Sequence, residues 1–206
     1  MSEPATHVAL MLKAPRPGLV KTRLAADLEG GNDEAVAIYR RLVEHQWAQL
    51  PPSWLRNIHY APADAEAEFR AWLPGADSYQ AQPAGDLGAR LIAAAQRALD
   101  QGAHKVFLMG ADCPGLVTPY LQEADRFLDS KDFVIGPARD GGYTLLGLKA
   151  TLPSLFEDMP WSTEKVFDET ITRANQAGWH GMSLSTLEDV DDLDSWQRQR
   201  HHLSAK

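Results

Sequence analysis

Short unbroken apolar runs alternate along this chain with stretches whose apolar side chains recur every three or four positions. Val8 to Leu12 is the first run, and it ends in a Pro/Gly-rich segment, as a buried strand does when it enters a loop. From Asp33 to Leu50 the positions Ala35, Ile38, Tyr39, Leu42, Val43 and Trp47 keep helical spacing until Pro51 and Pro52 stop them. Ile58 to Ala61 predicts the next strand, Ala63 to Leu73 a short helix, Leu87 to Leu99 a longer amphipathic one, and Val106 to Met109 another buried strand. Thr118 reads as a cap with Pro119 at the first helical position, opening a helix that runs to Leu128. Phe133 to Ala138 and Tyr143 to Leu148 predict strands able to pair across an Asp140-Gly141-Gly142 turn. Helices over Lys165 to Ala177 and Leu193 to His202 then flank a short strand, Gly181 to Leu184. The alternation predicts an α/β fold with a mainly parallel sheet covered by helices on both faces. No repeat or linker divides the 206 residues, so one domain spanning residues 1–206 is expected.

Charge narrows the possible partners. A formal net charge of -8 argues against nucleic acid, whose binding draws on clustered Lys and Arg. Yet Lys13, Arg16, Lys21 and Arg23 crowd into a stretch free of acids, directly after the first predicted strand. The single cysteine, Cys113, can form no internal disulfide and no Cys-based zinc site. No apolar run is long enough to span a bilayer, and Met1 to Leu12 lacks the basic start and cleavage site of a signal peptide. A cytoplasmic protein is therefore expected.

In parallel sheets ligands sit beyond the carboxyl ends of the strands, which directs attention to the loops after Leu12, Met109 and Ala138. The first, Lys13 to Leu24, could hold a pyrophosphate with Lys13, Lys21 and Arg23, or be a solvated basic loop stiffened by Pro15 and Pro17. It lacks the glycine before the lysine that a Walker A loop requires. The second, Gly110 to Gly115, offers Asp112 as an oxygen ligand for Mg²⁺ or Mn²⁺, or as a turn aspartate. In the third, Asp140 could orient a sugar or act as a base while Gly141 and Gly142 admit a ligand; a hairpin turn uses the same letters. Around Gln82 to Arg90, Gly85, Asp86 and Arg90 could meet a base, ribose or phosphate, or Asp86 could simply cap a helix. Trp161 could stack on a substrate ring or belong to the core. Acids fill most of Glu188 to Asp194, where they also favour the start of the final helix through its dipole, and one could complete a metal site with Asp112. The histidines follow no metal-binding spacing.

Together these blocks resemble the GT-A-type nucleotide-diphospho-sugar transferase superfamily. More narrowly they are similar to the bacterial glycosyltransferases labelled radical-SAM/selenodomain-associated transferases. The residues carrying the resemblance are Lys13-Ala14-Pro15, Pro17-Gly18, Lys21-Thr22-Arg23-Leu24, Gln82, Gly85 to Gly88, Arg90, Gly110 to Pro114, Asp140 to Tyr143, Gly147-Leu148, Trp161-Ser162 and Asp189-Val190-Asp191. The resemblance spans nearly the whole chain. It implies a Rossmann-like GT-A fold, a first loop holding the nucleotide phosphates, a metal on Asp112, and a late acid, Asp191 ahead of Asp189, as a second metal or substrate contact. Asp192 stands where relatives often carry Thr, and Asp112-Cys113 replaces the Asp-x-Asp of many glycosyltransferases, which points to one metal carboxylate in that loop. The Lys21 to Leu24 block is also similar to 2-phospho-lactate guanylyltransferases and molybdenum-cofactor nucleotidyltransferases, although their glycine-rich first loop is missing. The implied activity is glycosyl transfer from a nucleotide-sugar to a small-molecule acceptor. The second possibility is nucleotidyl transfer from a nucleoside triphosphate to a phosphorylated small molecule.

Overall fold

The computed structural model describes residues 5–203. The first four residues of the Met1 to Leu12 stretch discussed above lie outside them. In chain order the elements are β1 (Ala5–Lys13), α1 (Thr22–Asp27), α2 (Gly31–Gln49), β2 (Leu55–Ala61), α3 (Glu66–Trp72), β3 (Ser78–Ala81), α4 (Leu87–Asp100), β4 (Ala103–Met109), α5 (Thr118–Ser130), β5 (Phe133–Pro137), β6 (Tyr143–Leu148), α6 (Val166–Gln176), β7 (Gly181–Ser183) and α7 (Leu193–Gln199). The seven strands form one sheet in the order β3-β2-β1-β4-β6-β5-β7. Only β6 runs against its neighbours, pairing antiparallel with β4 and with β5; the other pairings are parallel.

The unbroken apolar runs follow from burial on both faces. In β1, Val8, Leu10 and Leu12 pack on one side, against Tyr39 and Val43 of α2, Phe69 of α3 and Leu121 of α5. Ala9 packs on the other, with Leu91, Ala94 and Ala98 of α4. β4 alternates likewise, sending Phe107 and Met109 to the first side and Val106 and Leu108 to the second. Strand side chains alternate between faces, so a strand covered twice has to be apolar at every position. Phe107 also stacks on Trp54, with ring centroids 4.6 Å apart.

A third, smaller cluster matters for the site. Leu24 of α1, Ile38 and Leu42 of α2, Val190, and Trp196 of α7 pack together. This patch clamps the first loop and the late acidic segment onto the same helix.

Three features depart from expectation. β3 and α1 were not predicted: β3 is a four-residue edge strand without a clean alternation of burial, and α1 is a six-residue helix that buries only Leu24 and Ala25. Thr118 is not a cap. Val117 holds that position without a side-chain bond, Pro119 lies in the first turn, and the Thr118 hydroxyl donates to the Gln49 carbonyl at 2.8 Å. The final α-helix stops at Gln199 and continues as a 3₁₀ turn, Arg200–Leu203. Among the described residues no helix is long and apolar enough to cross a membrane.

Candidate functional site

The sheet order places β1 between β2, which follows it, and β4, which comes much later. This reversal of direction opens a crevice beyond the strand ends, where parallel sheets bind ligands. Register brings the ends of β1 and β2 level, Lys13 beside Ala61, and sets Leu10 beside Met109 of β4. The loops beginning at Ala14, Pro62 and Gly110 therefore share one rim.

Lys13 ends β1 with its side chain exposed, and its backbone N–H and carbonyl both hydrogen-bond the buried Tyr39 hydroxyl at 3.1 Å. The loop then reaches Lys21, which caps α1 in the left-handed conformation, φ 48°. Its ammonium donates to Asp112 at 2.8 Å and lies 3.5 Å from Asp191, and its side chain is only 7% exposed. Burial works to discharge Lys21, but the charge and hydrogen bond of Asp112, helped by Asp191 and Asp189, outweigh it and raise its pKa. The two acid loops are joined, because the Val190 N–H donates to the Asp112 carbonyl at 2.9 Å. Behind them, buried Gln46 of α2 donates to the Gly110 carbonyl at 2.7 Å and fixes the end of β4.

These groups line a cleft of about 290 Å³ whose walls include Lys13, Lys21, Arg23, Tyr39, Asp112 and Asp191. Lys13 and Arg23 have no carboxylate partner among the described residues. Arg16, the fourth cation of the basic stretch, is turned away and bound by Asp64 and Glu68. A second cleft, about 440 Å³, adjoins the first through Lys13 and Leu19 and is walled by Ala61, Pro62, Pro83, Gln82 and Arg90. Gln82 is fully engaged there. Its amide donates to the carbonyls of Leu12 and His59 at 3.2 and 2.8 Å, and its oxygen accepts from Arg90 at 3.5 Å.

The acidic run divides by function. Asp192 caps α7 in a reciprocal capping box with Ser195. Glu188 is held by Arg198 at 2.8 Å. Asp189 turns inward beside Cys113; one of its carboxylate oxygens is buried without a partner, and burial together with the charge of Asp112 raises its pKa well above the usual range. Burial likewise pushes the Cys113 thiol up, which disfavours the thiolate. Asp191 is left facing the cleft.

Among the described residues no three His, Cys, Asp or Glu side chains converge closely enough to hold a metal ion alone. Asp112 and Asp191 nonetheless fit a divalent ion in the way Mg²⁺ and Mn²⁺ commonly bind. Both present half-open carboxylate oxygens to a cleft with room for phosphate and water as the remaining ligands.

The other expected residues are spread more widely. Asp140 lies in the β5–β6 turn, exposed, with its Oδ1 accepting from the Gly142 N–H at 2.9 Å; its charge is near enough to help raise the pKa of Asp189. Gly141 has φ +90°, and a Cβ there would collide with the Glu164 backbone at 2.3 Å, so packing alone demands glycine. It lines a separate cleft of about 370 Å³ with Glu164 and Asp168. Asp86 caps α4 by accepting from Ala89 N at 2.8 Å, and neither it nor Gly85 lines the second cleft. Arg90 lines that cleft while donating to the Gly85 carbonyl at 3.1 Å, away from the Lys21 cluster. Trp161 packs among the core residues beside α4, its indole nitrogen buried without an acceptor. A Cβ on Gly88 would meet that nitrogen at 3.1 Å and the Phe156 carbonyl at 2.4 Å. Tyr39 and Gln46 were not among the expected site residues. Both sit on the core-facing side of α2, where Gln46 is the one polar residue of that buried face.

Residues 46–163 match a protein family described as "Uncharacterized protein conserved in bacteria (DUF2064)". A solved structure from Desulfovibrio desulfuricans G20, provisionally named a nucleotide-diphospho-sugar transferase, is 35% identical over 92% of this chain and 83% of its own, with a TM-score of 0.86. This chain belongs to that transferase family. Members of the wider fold lie further off. Rv0371c from Mycobacterium tuberculosis H37Rv, solved in complex with manganese, is 15% identical over 95% of this chain and 97% of its own, at a TM-score of 0.53. CMP:2-keto-3-deoxy-manno-octonic acid synthetase, complexed with CTP, is 11% identical over 97% and 98%, at 0.56. These two share this chain's fold. No curated protein matches the sequence.

Proposed function

We propose that this member of the transferase family is a metal-dependent glycosyltransferase that takes a sugar from a nucleotide-diphospho-sugar and passes it to a small-molecule acceptor. One observation carries the reading: cations suited to a diphosphate and carboxylates suited to a divalent ion open into a single cleft. Kinship with a 35% identical protein named for nucleotide-diphospho-sugar transfer supports it.

In this reading Lys13, Lys21 and Arg23 take the diphosphate oxygens, Arg with paired donors and Lys with point charges. Asp112 and Asp191 hold Mg²⁺ or Mn²⁺, which when bound neutralises charge gathering on the leaving diphosphate. The nucleoside lies in the adjoining apolar cleft, near Arg90 and the Gly85 loop, with Asp86 supporting that loop as the cap of α4. The bond from the sugar carbon to the phosphate oxygen breaks, the acceptor oxygen bonds to that carbon, and the acceptor proton passes to a base. Asp140 is that base or the group that orients the sugar. The Gly142 N–H holds one of its oxygens and leaves the other available. Gly141 shapes the turn and Trp161 packs in the core beside Gly88 of α4, so both serve the substrate side indirectly. The reading goes with a single-domain, cytoplasmic enzyme whose one cysteine is buried and free.

The products test it. A panel of nucleotide-sugars incubated with Mg²⁺ or Mn²⁺ is expected to release nucleoside diphosphate slowly, even with water as acceptor. Nucleotidyl transfer attacks the α-phosphorus of a nucleoside triphosphate and releases pyrophosphate instead. Pyrophosphate release, with no turnover of any nucleotide-sugar, would replace this reading by that one.

A further inference from the structure

Lys21 is unlike the other two cations of the cleft. Lys13 and Arg23 are exposed and carry no carboxylate partner among the described residues, so they can meet an anion at any time. The Lys21 ammonium is already spent on Asp112, at 2.8 Å, and Asp191, at 3.5 Å. Those are the two carboxylates assigned above to the divalent ion. An ammonium and a divalent cation set between the same two carboxylates repel each other, and at such separations that repulsion opposes the gain from either acid. The backbone leaves little freedom to resolve the conflict. Lys21 has φ 48°, and the next turn is anchored by Leu24, which is fully buried against Ile38 and Leu42 of α2. Its flexible four-carbon stem is the part able to move.

We propose that Lys21 is a resident counter-ion exchanged for the metal: the divalent cation enters between Asp112 and Asp191 and releases the ammonium to the diphosphate in the same cleft. The inference rests on the metal-dependent reading and adds a coupling to it. While the cleft holds no anion, leaving the carboxylates strands Lys21 without a counter-charge, so the metal alone binds weakly. Once a diphosphate is present Lys21 has a second partner, and metal and diphosphate strengthen each other's binding by the same factor. The exchange also gives Lys21 a use before the ligands arrive, since it keeps two facing carboxylates from repelling each other across the cleft.

Mn²⁺ alone is the probe, followed through the paramagnetic resonance signal of the free hydrated ion in the parent protein, Lys21→Met and Lys21→Gln. Removing the resident ammonium is expected to tighten Mn²⁺ binding at least about tenfold, since one displaced charge-assisted hydrogen bond is worth about that factor. Equal or weaker binding in the variants, with Mn²⁺ still binding the parent in the presence of a nucleoside diphosphate, overturns the exchange and leaves the metal-dependent reading standing. Mn²⁺ binding to none of the proteins, with or without each of the four common nucleoside diphosphates, overturns both. Should the variants not fold, the parent decides the matter by acetic anhydride labelling read by mass spectrometry. Lys21 is expected to be protected in metal-free protein and modified once saturating Mn²⁺ is added, and protection that persists with Mn²⁺ bound overturns the exchange.

Discussion

The two rims of the central strands each carry a lysine set between two aspartates, and they use it differently. At the amino end of β4, Lys105 meets Asp125 at 3.1 Å and Asp129 at 2.7 Å, both on α5 and one helical turn apart. Lys105 also donates to the Asp125 carbonyl at 2.8 Å, and Thr6 donates to the Asp125 carboxylate at 3.1 Å, so that arrangement is satisfied from within. At the carboxyl end, Lys21 meets Asp112 and Asp191, which come from separate loops and face a cleft lined by two cations without carboxylate partners. The charges are the same in kind. What separates a structural ion pair from a candidate site here is which elements supply the acids: a single helix at Lys105, two separate loops beyond the strand ends at Lys21.

The comparison is broken most severely at Asp112. Asp112→Asn keeps the shape and removes one charged oxygen, and is expected to lower metal-dependent turnover about a hundredfold or more, the usual cost of losing one electrostatic contact to a developing charge. Asp129→Asn is expected to leave turnover within about twofold of the parent, because rim charges of that kind contribute little. Equal losses in a nucleoside diphosphate release assay would show that the two rims do not differ in this way.

His59, in β2 between the rims, separates stability from activity. It is 4% exposed, and burial, aided by Arg97, lowers its pKa to about 4. The unfolded chain takes up its proton near pH 6.5 while the folded protein refuses it, so stability is complete above that pH and declines as the pH falls towards 4. The loss is a few kcal/mol at about 1.4 kcal/mol per unit. His59→Phe is expected to flatten this slope in denaturant titrations between pH 4 and 6.5. An unchanged slope would assign it elsewhere, His7 being the next group whose pKa burial lowers.

Arg23→Ala should weaken a nucleoside diphosphate about tenfold and leave the nucleoside unchanged, because the lost contact is a charge-assisted bond to phosphate. Isothermal titration with both ligands checks this, and equal weakening would make the loop a structural element. The smallest effect belongs to Lys105→Met, expected to cost no more than about 1 kcal/mol of stability and no activity. Chemical denaturation beside the release assay would reveal any larger role.

Much of this arrangement is legible in the sequence, and the boundary is physical. β1, β4 and β5 announce themselves as unbroken apolar runs because both of their faces are covered. β3, half-buried at the sheet edge, leaves no such trace. Strand ends and loop chemistry point to Lys13, Lys21, Arg23 and Asp112, which do line one cleft. Arg16 belonged to the same basic stretch, and its diversion to Asp64 and Glu68 depends on a contact far along the chain that no local pattern carries. The same blindness affects Gly141, Asp86 and Trp161, where packing and capping use the residue types that ligand binding would use.

The bond from the Val190 N–H to the Asp112 carbonyl has a consequence for the order in which the protein becomes competent. The last strand ends at Ser183, so all seven strands precede Val190 and Asp191 in the chain, and the sheet can form without them. Lys21 and Asp112 can then face each other before the second carboxylate docks. Contacts this distant in sequence close late, because the loop entropy they cost is offset only once the intervening structure is in place. A chain ended after Glu188 is expected to show strand content near that of the full protein by circular dichroism while failing to retain Mn²⁺ with a nucleoside diphosphate. Ligand capture by this cleft would then report that the late acidic segment has docked on the loop after β4, which the presence of a folded sheet does not.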